Sequence, residues 1–345
     1  MYILFNTKFM KEGENDMHYR KSLLILIGVF MLSIVAACSS ADSSGDEDFP
    51  TKDIEIVAPA TPGGGWDTTA RSVQKVFDDN DMIDQNINVE NKPGGSGEVG
   101  FSYTESKDAH TLVVNSSLLL SNNLLGDSDL EYEDFTPLAI LTSEYQALVV
   151  PEESDFDDVN EVMEQLKEDP SSLKINVAPG LGSDNHLAFV EAALEYGIDP
   201  TEMDFIVEES GGDQLSAVLG NHVDVASMYI SEVSDEYKEG SLDVLAIASE
   251  DRLEGLDDIP TWKEEGVDMV FPHWRGIMGP PDMSDDEIDY WDDNLEKMVG
   301  TDEWEEVLTN NEWEDLYKDS EEAQEFLSDE NEKFKELLDE SNLLK

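Results

Sequence analysis

The chain has 345 residues, with 81 acidic side chains against 20 lysines and arginines, which gives a formal net charge of −61. Such a chain repels a phosphate backbone, so nucleic acid is excluded as a partner. Hydrophobic residues make up 39% of the chain and recur with regular periodicity, which favours a folded protein over a disordered one. An acid-covered surface is expected of a protein exported into strong brine, where salt screens its self-repulsion.

The N-terminal segment has the pattern of a lipoprotein signal peptide. An apolar run over 23–37 follows two basic residues, is shorter than a membrane-spanning helix, and ends in small residues before Cys38. We interpret 1–37 as the signal peptide, with Met17 as an alternative start, and Cys38 as the site of lipid attachment. Residues 38–48 are then the lipidated cysteine and a flexible tether. The pattern predicts a protein anchored by lipid to the extracellular face of the cytoplasmic membrane.

After the tether, short strand patterns alternate with helical ones, which is typical of an α/β fold with mostly parallel sheets. The predicted strands are Ile54–Ala58, Ile87–Glu90, Thr111–Asn115, Gln146–Val150, Leu173–Ala178, Phe205–Val207, Val223–Met228, Val244–Ala248 and Gly276–Met278. Helical patterns begin near Trp66, Ser117, Val159, Ser183, Gln214, Ser231 and Thr261. From residue 280 onward the pattern is helical, with an apolar stripe over 288–298 and a last helix from Ser320.

The glycine-rich segment 62–65 follows the first predicted strand and opens the first predicted helix. A turn of this kind presents free backbone N–H groups and the positive end of a helix dipole, which together suit an anion. The alternative is a purely structural turn, since α/β proteins need glycines at tight turns. Asp67 at the helix start favours a capping role over a ligand contact.

Other motifs predict no catalytic, cofactor or metal site. Residues 95–100 fit the dinucleotide fingerprint, but no ribose-binding acid follows at the expected distance, so we interpret them as a structural or cleft-lining turn. Residues 183–186 contain the residue types of a hydrolase triad, but neighbours on one helical turn cannot adopt the triad's geometry. The histidines are scattered and Cys38 is the only cysteine of the sequence, so we predict no metal site.

Several motifs occur in an order that resembles the substrate-binding receptors of tripartite tricarboxylate transporters, also called Bug receptors. They are 60–71 (ATPGGGWDTTAR), 89–97 (VENKPGGSG), 134–139 (DFTPLA), 180–186 (GLGSDNH), 211–213 (GGD), 219–224 (LGNHVD) and 259–261 (IPT). The resemblance covers nearly all of the chain after the tether. It implies an α/β fold of the two-lobed periplasmic-binding-protein class (Venus flytrap, type II), with a carboxylate bound in the cleft between the lobes.

The same resemblance implies where the lobes divide. One lobe would comprise 49–145 plus 249–345 and the other 146–248, with hinges near Gln146–Val150 and Val244–Ser249. Closing the lobes would bring two helix N-termini to one anion.

The predicted ligand contacts combine the amides of glycine-rich loops with hydroxyl donors and one guanidinium. They are Thr61, Gly63, Gly64, Gly65, Trp66, Asp67, Ser116, Ser117, Gly182, Ser183, Gly211, Gly212, Tyr229 and Arg275. The change Gly64→Val is expected to do more damage to carboxylate binding than Arg275→Ala, by blocking backbone approach and any positive φ that the turn requires.

The number and positions of the arginines give independent support for this site. After removal of the predicted signal peptide, the sequence keeps only Arg71, Arg252 and Arg275, and two of them adjoin the motifs that carry the resemblance. In a chain that has lost nearly every cation, a guanidinium kept beside a cleft is a candidate clamp for a carboxylate. The alternative is a structural ion pair. Arg275 is the stronger candidate, because Arg71 falls a helical turn or more beyond the glycine-rich loop.

The resemblance implies a receptor and not an enzyme: a lipoprotein that captures a citrate-like di- or tricarboxylate and delivers it to a membrane permease. We expect a monomer without a cofactor. Two alternatives stay open. The receptor presents its ligand to the external domain of a histidine kinase, or the chain is a lipid-anchored hydrolase, which needs a nucleophile and base that the sequence does not display.

Overall fold

The computed structural model describes residues 49–208 and 210–344. The predicted signal peptide, Cys38 and the predicted tether lie outside these residues. Residues 52–345 form one compact unit, which holds the strands and helices described below. Within the described ranges, no helix is long and apolar enough to cross a membrane.

Strands and helices alternate along most of the described chain. Its ten strands are β1 (Ile54–Ala58), β2 (Ile87–Asn91), β3 (Thr111–Ser116), β4 (Thr136–Pro151), β5 (Lys174–Val177), β6 (Asp204–Val207), β7 (Val225–Tyr229), β8 (Leu242–Ile247), β9 (Pro272–Gly279) and β10 (Glu314–Lys318). Its ten α-helices are α1 (Gly65–Asp79), α2 (Glu98–Glu105), α3 (Leu118–Leu124), α4 (Val159–Glu168), α5 (Asp184–Glu195), α6 (Gly211–Leu219), α7 (Ser234–Glu239), α8 (Asp285–Val299), α9 (Asp302–Asn311) and α10 (Ser320–Glu340).

The strands form one mixed sheet of order β2-β1-β3-β9-β4-β7-β5-β6, and β8 and β10 also pair with β4. β1 pairs in parallel with β2 and β3, and β5 pairs in parallel with β6 and β7. The pairings of β4 and β9 are antiparallel. The expectation of mostly parallel sheets is therefore wrong for the centre of the sheet. At the centre, β9 pairs with β3 and β4 in the antiparallel direction. Only parallel neighbours need a crossover connection such as a helix between them.

β4 joins two halves of this sheet. Its residues 136–145 pair with β9 and β10, whereas residues 146–151 pair with β7 and β8. We call the part around β1, β3, β9 and β10 the first half and the part around β5, β6, β7 and β8 the second half. The partners change where the sequence places a hinge, and the hinge motion and lobe boundaries stay predictions.

Each half has its own hydrophobic core, and the last helix contributes to both. In the first half, Leu327 of α10 packs in a cluster with Phe101 and Trp274. About two to three turns further along α10, Phe334 and Leu338 belong to the core of the second half. Full burial of a side chain of this size contributes about 1.5–3 kcal/mol, so α10 fastens the two halves together along one face of the molecule.

One predicted helix does not form. Near Thr261 the chain makes turns, and Thr261 pairs with Ile247 in an isolated parallel bridge. The helical pattern there is broken by Gly266, which adopts a φ of +96° and ends any regular run.

Candidate functional site

A cleft of about 960 Å³ lies where the two halves of the sheet meet, and both halves contribute residues to its wall. Of the predicted ligand contacts, those that line it are Gly63, Gly64, Gly65, Trp66, Ser116, Gly211, Tyr229 and Arg275. Those that do not line it are Thr61, Asp67, Ser117, Gly182, Ser183 and Gly212.

The first turn of α1 reaches the cleft without a side-chain cap. Its N-cap residue is Gly64, which has no side chain to offer, so the amides of Gly65 and Trp66 belong to the unpaired N–H groups of a helix start. Helices α5 and α6 differ, because the hydroxyls of their N-cap residues Ser183 and Ser210 accept hydrogen bonds from the first turn. Among these three helix starts, α1 is therefore the one in which no side-chain cap takes up an amide of the first turn.

Asp67 holds the glycine-rich loop and is not presented to the cleft. Its side chain is 3% exposed and accepts hydrogen bonds from the Gly63 amide at 2.8 Å, the Asn91 amide group at 2.7 Å and the Arg71 guanidinium at 3.0 Å. Burial raises the pKa of Asp67, but these three donors outweigh it, so that the pKa is lowered overall. Asp67 and Arg71 thus form structural contacts, as the capping interpretation of Asp67 expects.

The three glycines of the loop are needed for different reasons. Gly63 has a φ of +88°, which disfavours any side chain. Gly64 has a φ of −77°, and a Cβ there would meet nothing closer than the Thr61 carbonyl oxygen at 3.4 Å. A Cβ on Gly65 would lie 3.0 Å from Nη2 of Arg275. The expectation that a positive φ is required at Gly64 is therefore wrong, and Gly65 is the glycine that lets the guanidinium approach.

Arg275 on β9 forms a buried ion pair with Glu144 on β4. Nη2 of Arg275 donates to Oε1 of Glu144, and the two residues are 5% and 2% exposed. The other oxygen of Glu144 accepts a hydrogen bond from the Ser231 hydroxyl. The guanidinium also lies over the ring of Trp313, 4.9 Å from its centroid. Its Nη1 is buried and has no partner in the described chain, which leaves donor capacity on this group.

A second polar network crosses the cleft at Asp184, the first residue of α5. Its carboxylate accepts a 2.6 Å hydrogen bond from the Ser117 hydroxyl and also bonds Nδ1 of His273. The His273 ring stacks on Tyr229 with centroids 4.4 Å apart. Burial and the nearby carboxylates of Asp184 and Glu144 raise the pKa of Tyr229 well above its ordinary value, so its phenol stays protonated.

The loop before α5 is fixed by internal contacts. The Gly182 amide donates to Nδ1 of His186 at 3.1 Å, and the Ser183 hydroxyl donates to the Gly180 carbonyl at 2.7 Å. A Cβ on Gly182 would lie 2.6 Å from a methyl carbon of Leu125, so the glycine admits this close packing. The predicted second helix N-terminus therefore reaches the cleft through Asn185 instead.

The glycine-rich turn at 95–100 supports the wall of the cleft. A Cβ on Gly97 would lie 2.6 Å from the Phe101 ring and 2.9 Å from the Trp66 ring. The turn is therefore packed under the cleft-lining Trp66, which fits the interpretation of a structural turn. In the described chain, groups of three or more side chains that could hold a metal ion are absent.

Sequence reasoning missed many polar or aromatic residues of the cleft, and four of them bear on its chemistry. They are Glu144, Glu232, His273 and Trp313. His273 stands two residues before Arg275 on a strand, and the period of two places both on one face, so that spacing was a usable signal. Burial and the Glu144 carboxylate raise the pKa of Glu232 to about 7, while Arg275 partly opposes this rise.

Comparison with known proteins agrees with this architecture. The sequence model described as "Tripartite tricarboxylate transporter family receptor" matches residues 69–343. Protein BugT of Bordetella pertussis is 27% identical over 266 residues, which cover 75% of this chain and 78% of BugT. The malate-bound MatC of Rhodopseudomonas palustris has a TM-score of 0.68 at 21% identity, covering 84% of this chain and 100% of MatC. The adipate-bound Rpa4515 of R. palustris has a TM-score of 0.72 at 20% identity, covering 86% and 99%.

The structural likeness establishes the two-lobed fold of periplasmic solute-binding proteins. The family match spans well over half of the sequence. The chain therefore belongs to the tripartite tricarboxylate transporter receptor family, whose members are solute-binding proteins.

Proposed function

We propose that this protein is an extracytoplasmic receptor that binds a di- or tricarboxylate in its cleft and delivers it to the permease of a tripartite transporter. One observation carries the proposal: the uncapped start of α1 and the guanidinium of Arg275 meet at Gly65. The amides and the helix dipole attract one carboxylate, and the guanidinium adds a charge-assisted donor. Family membership supports the permease as partner, and the malate- and adipate-bound neighbours support a carboxylate as ligand.

Other donors of the cleft suit the remaining oxygens of such a ligand. The Ser116 hydroxyl lines the wall of the first half, and the protonated phenol of Tyr229 comes from the second half. Closing the cleft around the ligand would bring both sets of donors to one molecule, as expected of a two-lobed receptor.

The net charge of −61 opposes the capture of an anion, and salt removes this opposition. At about 1 M salt the Debye length is about 3 Å, so carboxylates beyond the cleft are screened from the ligand. Affinity is then decided by the groups in contact with the ligand, of which the α1 amides and Arg275 favour an anion.

The first test is calorimetry and thermal shift in concentrated salt with citrate, malate, succinate and adipate, with succinamide as a neutral control. A ligand at 100 times its Kd adds about 2.7 kcal/mol to the free energy of unfolding. We expect at least one carboxylate to bind and succinamide not to bind. If none of the acids raises the melting temperature, the proposed function is wrong.

The second test removes the guanidinium. The single change Arg275→Gln would leave Glu144 buried without its partner, at a cost of about 3–5 kcal/mol, so the double variant Glu144→Gln/Arg275→Gln is the better choice. We expect it to fold and to bind the carboxylate about tenfold to a hundredfold more weakly. The matched control is Arg252→Gln, whose guanidinium pairs with Glu264 at 2.8 Å outside the cleft. Wild-type affinity in the folded double variant would show that the site lies elsewhere.

The lipid anchor is supported by the sequence motif at Cys38. The change Cys38→Ser removes the thiol that would be acylated, so we expect the protein to leave the membrane fraction or to stall before processing. Mass spectrometry of the mature, membrane-bound protein is the direct measurement, and an unmodified Cys38 would contradict the anchor.

A further inference from the structure

The carboxylate of Glu312 bridges the two halves at the outer edge of the cleft. Glu312 stands between α9 and β10, and β10 pairs with β4 in the first half. Its Oε2 accepts a 2.6 Å hydrogen bond from the hydroxyl of Ser234 at the start of α7, and its Oε1 accepts a 2.9 Å hydrogen bond from the ammonium group of Lys238 in the same helix. Tyr237 of α7 packs against the hydrophobic cluster that contains Val244 of β8 in the second half. Both oxygens of one side chain therefore hold the opposite half.

The backbone of Glu312 is unfavourable for a glutamate. Its φ of +54° lies in the left-handed region, which favours glycine and tolerates asparagine and aspartate best. Six described residues other than glycine have a positive φ, and the other five all have short polar side chains: Asp81, Ser96, Asn221, Asp282 and Asn342. Glu312 also ends α9, where glycine or asparagine is the usual choice. A long side chain kept at such a position points to a role for its carboxylate.

The same segment forms part of the cleft wall. We call residues 309–313 the strap, and all five line the cleft. Trp313 at the end of the strap is 7% exposed, and its ring centroid lies 4.9 Å from the central carbon of the Arg275 guanidinium. Adjacent residues of the strap thus contact the guanidinium of the first half and helix α7 of the second half.

We propose that Glu312 is a latch that holds the cleft closed over a bound solute and sets how fast the solute leaves. The proposal rests on the proposed function, because it needs a solute in the cleft, but Glu312 does not have to touch that solute. Separation of the two halves breaks both hydrogen bonds of Glu312. Contacts that are made only when the halves are together stabilise the closed arrangement, so the latch acts on dissociation more than on association.

The Ser234 hydroxyl contributes more to the latch than the Lys238 ammonium group. Ser234 is 3% exposed, whereas the side chain of Lys238 is 47% exposed. An exposed ion pair contributes little and is weakened further by concentrated salt. A buried hydrogen bond to a charged group is stronger and is screened much less. The latch therefore remains effective in brine, where an exposed ion pair alone would not.

The first experiment measures dissociation of a carboxylate by stopped-flow tryptophan fluorescence in concentrated salt. The probe is whichever of citrate, malate, succinate and adipate binds the wild type most tightly. The change Glu312→Gly removes the carboxylate and suits the positive φ, so the solute-free variant should fold and melt close to wild type. We expect the solute to leave this variant about tenfold faster, with little change in the association rate. An unchanged dissociation rate in the folded variant would overturn the proposal.

The matched control is Asp81→Gly. Asp81 is exposed, has a φ of +49° and does not line the cleft, so this change gives the same backbone relief and leaves the latch intact. Its dissociation rate should equal that of wild type. Ser234→Ala should also speed dissociation, and Lys238→Gln should do so to a smaller extent. Adding Ser234→Ala to Glu312→Gly should change nothing further, since both remove the same hydrogen bond, and additive effects would contradict the latch.

The failures of the two proposals are distinguishable. If the acids bind and Glu312→Gly releases them at the wild-type rate, the latch is wrong and the carboxylate receptor stands. A lower melting temperature without solute, at an unchanged dissociation rate, would likewise overturn the latch, because Glu312 would then only brace the fold.

If none of the four acids binds, the proposed function itself fails, and small-angle scattering of the solute-free protein still tests the latch. Without its carboxylate at position 312 the cleft should open more, so Glu312→Gly should have a larger radius of gyration than wild type and Asp81→Gly. Equal radii for the three proteins would then overturn the latch as well.

Discussion

His273 and Asp184 are joined by a hydrogen bond between Nδ1 and the carboxylate, and this bond ties β9 of the first half to α5 of the second half. The Ser117 hydroxyl donates to the same carboxylate at 2.6 Å. A serine, an aspartate and a histidine therefore meet in the cleft, but the carboxylate stands between the other two. In a hydrolase triad the imidazole stands in the middle and takes the proton of the hydroxyl. The observed order fastens the two halves and does not activate Ser117.

The change Asp184→Asn should weaken solute binding, because it removes the charged acceptor that links the two halves across the cleft. A hydrogen bond to a charged group contributes about 1.5–3 kcal/mol, so we expect roughly a tenfold or greater loss of affinity by calorimetry. Ser117→Ala removes a single neutral donor and should cost about fivefold. Small-angle scattering should show a larger radius of gyration for Asp184→Asn. Unchanged affinity and radius would show that the network does not hold the cleft closed.

His186 should make the fold sensitive to acid. It is 2% exposed, its Nδ1 accepts the Gly182 amide, and burial lowers its pKa to about 4. Because this folded-state pKa lies below the unfolded value of about 6.5, the stabilisation is present above pH 6.5 and is lost as the pH falls toward 4. The loss amounts to about 3 kcal/mol in the free energy of unfolding.

The variant His186→Asn isolates this contribution, because its side-chain oxygen can accept the Gly182 amide but does not titrate. Glu232 and Glu330, with pKa values raised to about 7, act in the opposite direction, and they cancel in the difference between wild type and variant. Urea unfolding from pH 4 to pH 7 measures that difference. Parallel pH profiles for the two proteins would refute the assignment to His186.

The sequence predicts those strands whose own residues determine burial. β1 and β3 are predicted to within one residue, since each contains three consecutive apolar residues, 56–58 in β1 and 112–114 in β3. β10 is not predicted, because its sequence EDLYK has no apolar alternation and the segment becomes a strand through pairing with β4. The first part of β4 is missed for a similar reason: polar residues such as Ser143 and Glu144 are buried there by pairing with β9.

The residues of the candidate site also divide into those that local sequence reveals and those that only the fold brings together. The glycine-rich loop is recognisable because its spacing is local, and Arg275 stands out because few cations remain in the chain. Glu144 and Glu232 could not be identified in advance, since each is one of 81 acidic residues and only the fold brings them to Arg275. The approach of Arg275 to Gly65 likewise joins segments that are distant in sequence, so the roles of the three loop glycines could not be ranked.

Stability should fall as salt is removed. With a formal charge of −61, the folded chain is opposed by its own repulsion, and the Debye length grows from about 3 Å at 1 M to about 10 Å at 0.1 M. We expect the melting temperature to decrease steadily from 2 M to 0.1 M sodium chloride. Sucrose at matched osmolality controls for exclusion of solute from the surface and should not replace the salt. A melting temperature that does not change with salt would rule out the interpretation of the acidic surface as an adaptation to brine.

Gly65→Ala and Gly64→Ala form the sharpest pair of variants for the carboxylate site. A Cβ on Gly65 would stand 3.0–3.2 Å from three atoms of the Arg275 guanidinium, so the guanidinium must shift away from the start of α1. A Cβ on Gly64 meets ordinary contacts at 3.4 Å and 3.6 Å, and its φ of −77° suits any residue. We expect Gly65→Ala to weaken carboxylate binding at least tenfold, a loss of about 1.4 kcal/mol, and Gly64→Ala to change it little.

Both substitutions add one methyl group to adjacent positions, so their difference in affinity reports on the guanidinium and not on loop flexibility. Circular dichroism and melting temperature should be alike for the two variants, because Gly65 lies in the first turn of α1, where alanine is a good helix former. Calorimetry with a carboxylate that binds the wild type decides the matter. Equal affinities for the two variants would mean that Arg275 and the start of α1 do not act on the same carboxylate, which would remove the observation on which the proposed function depends.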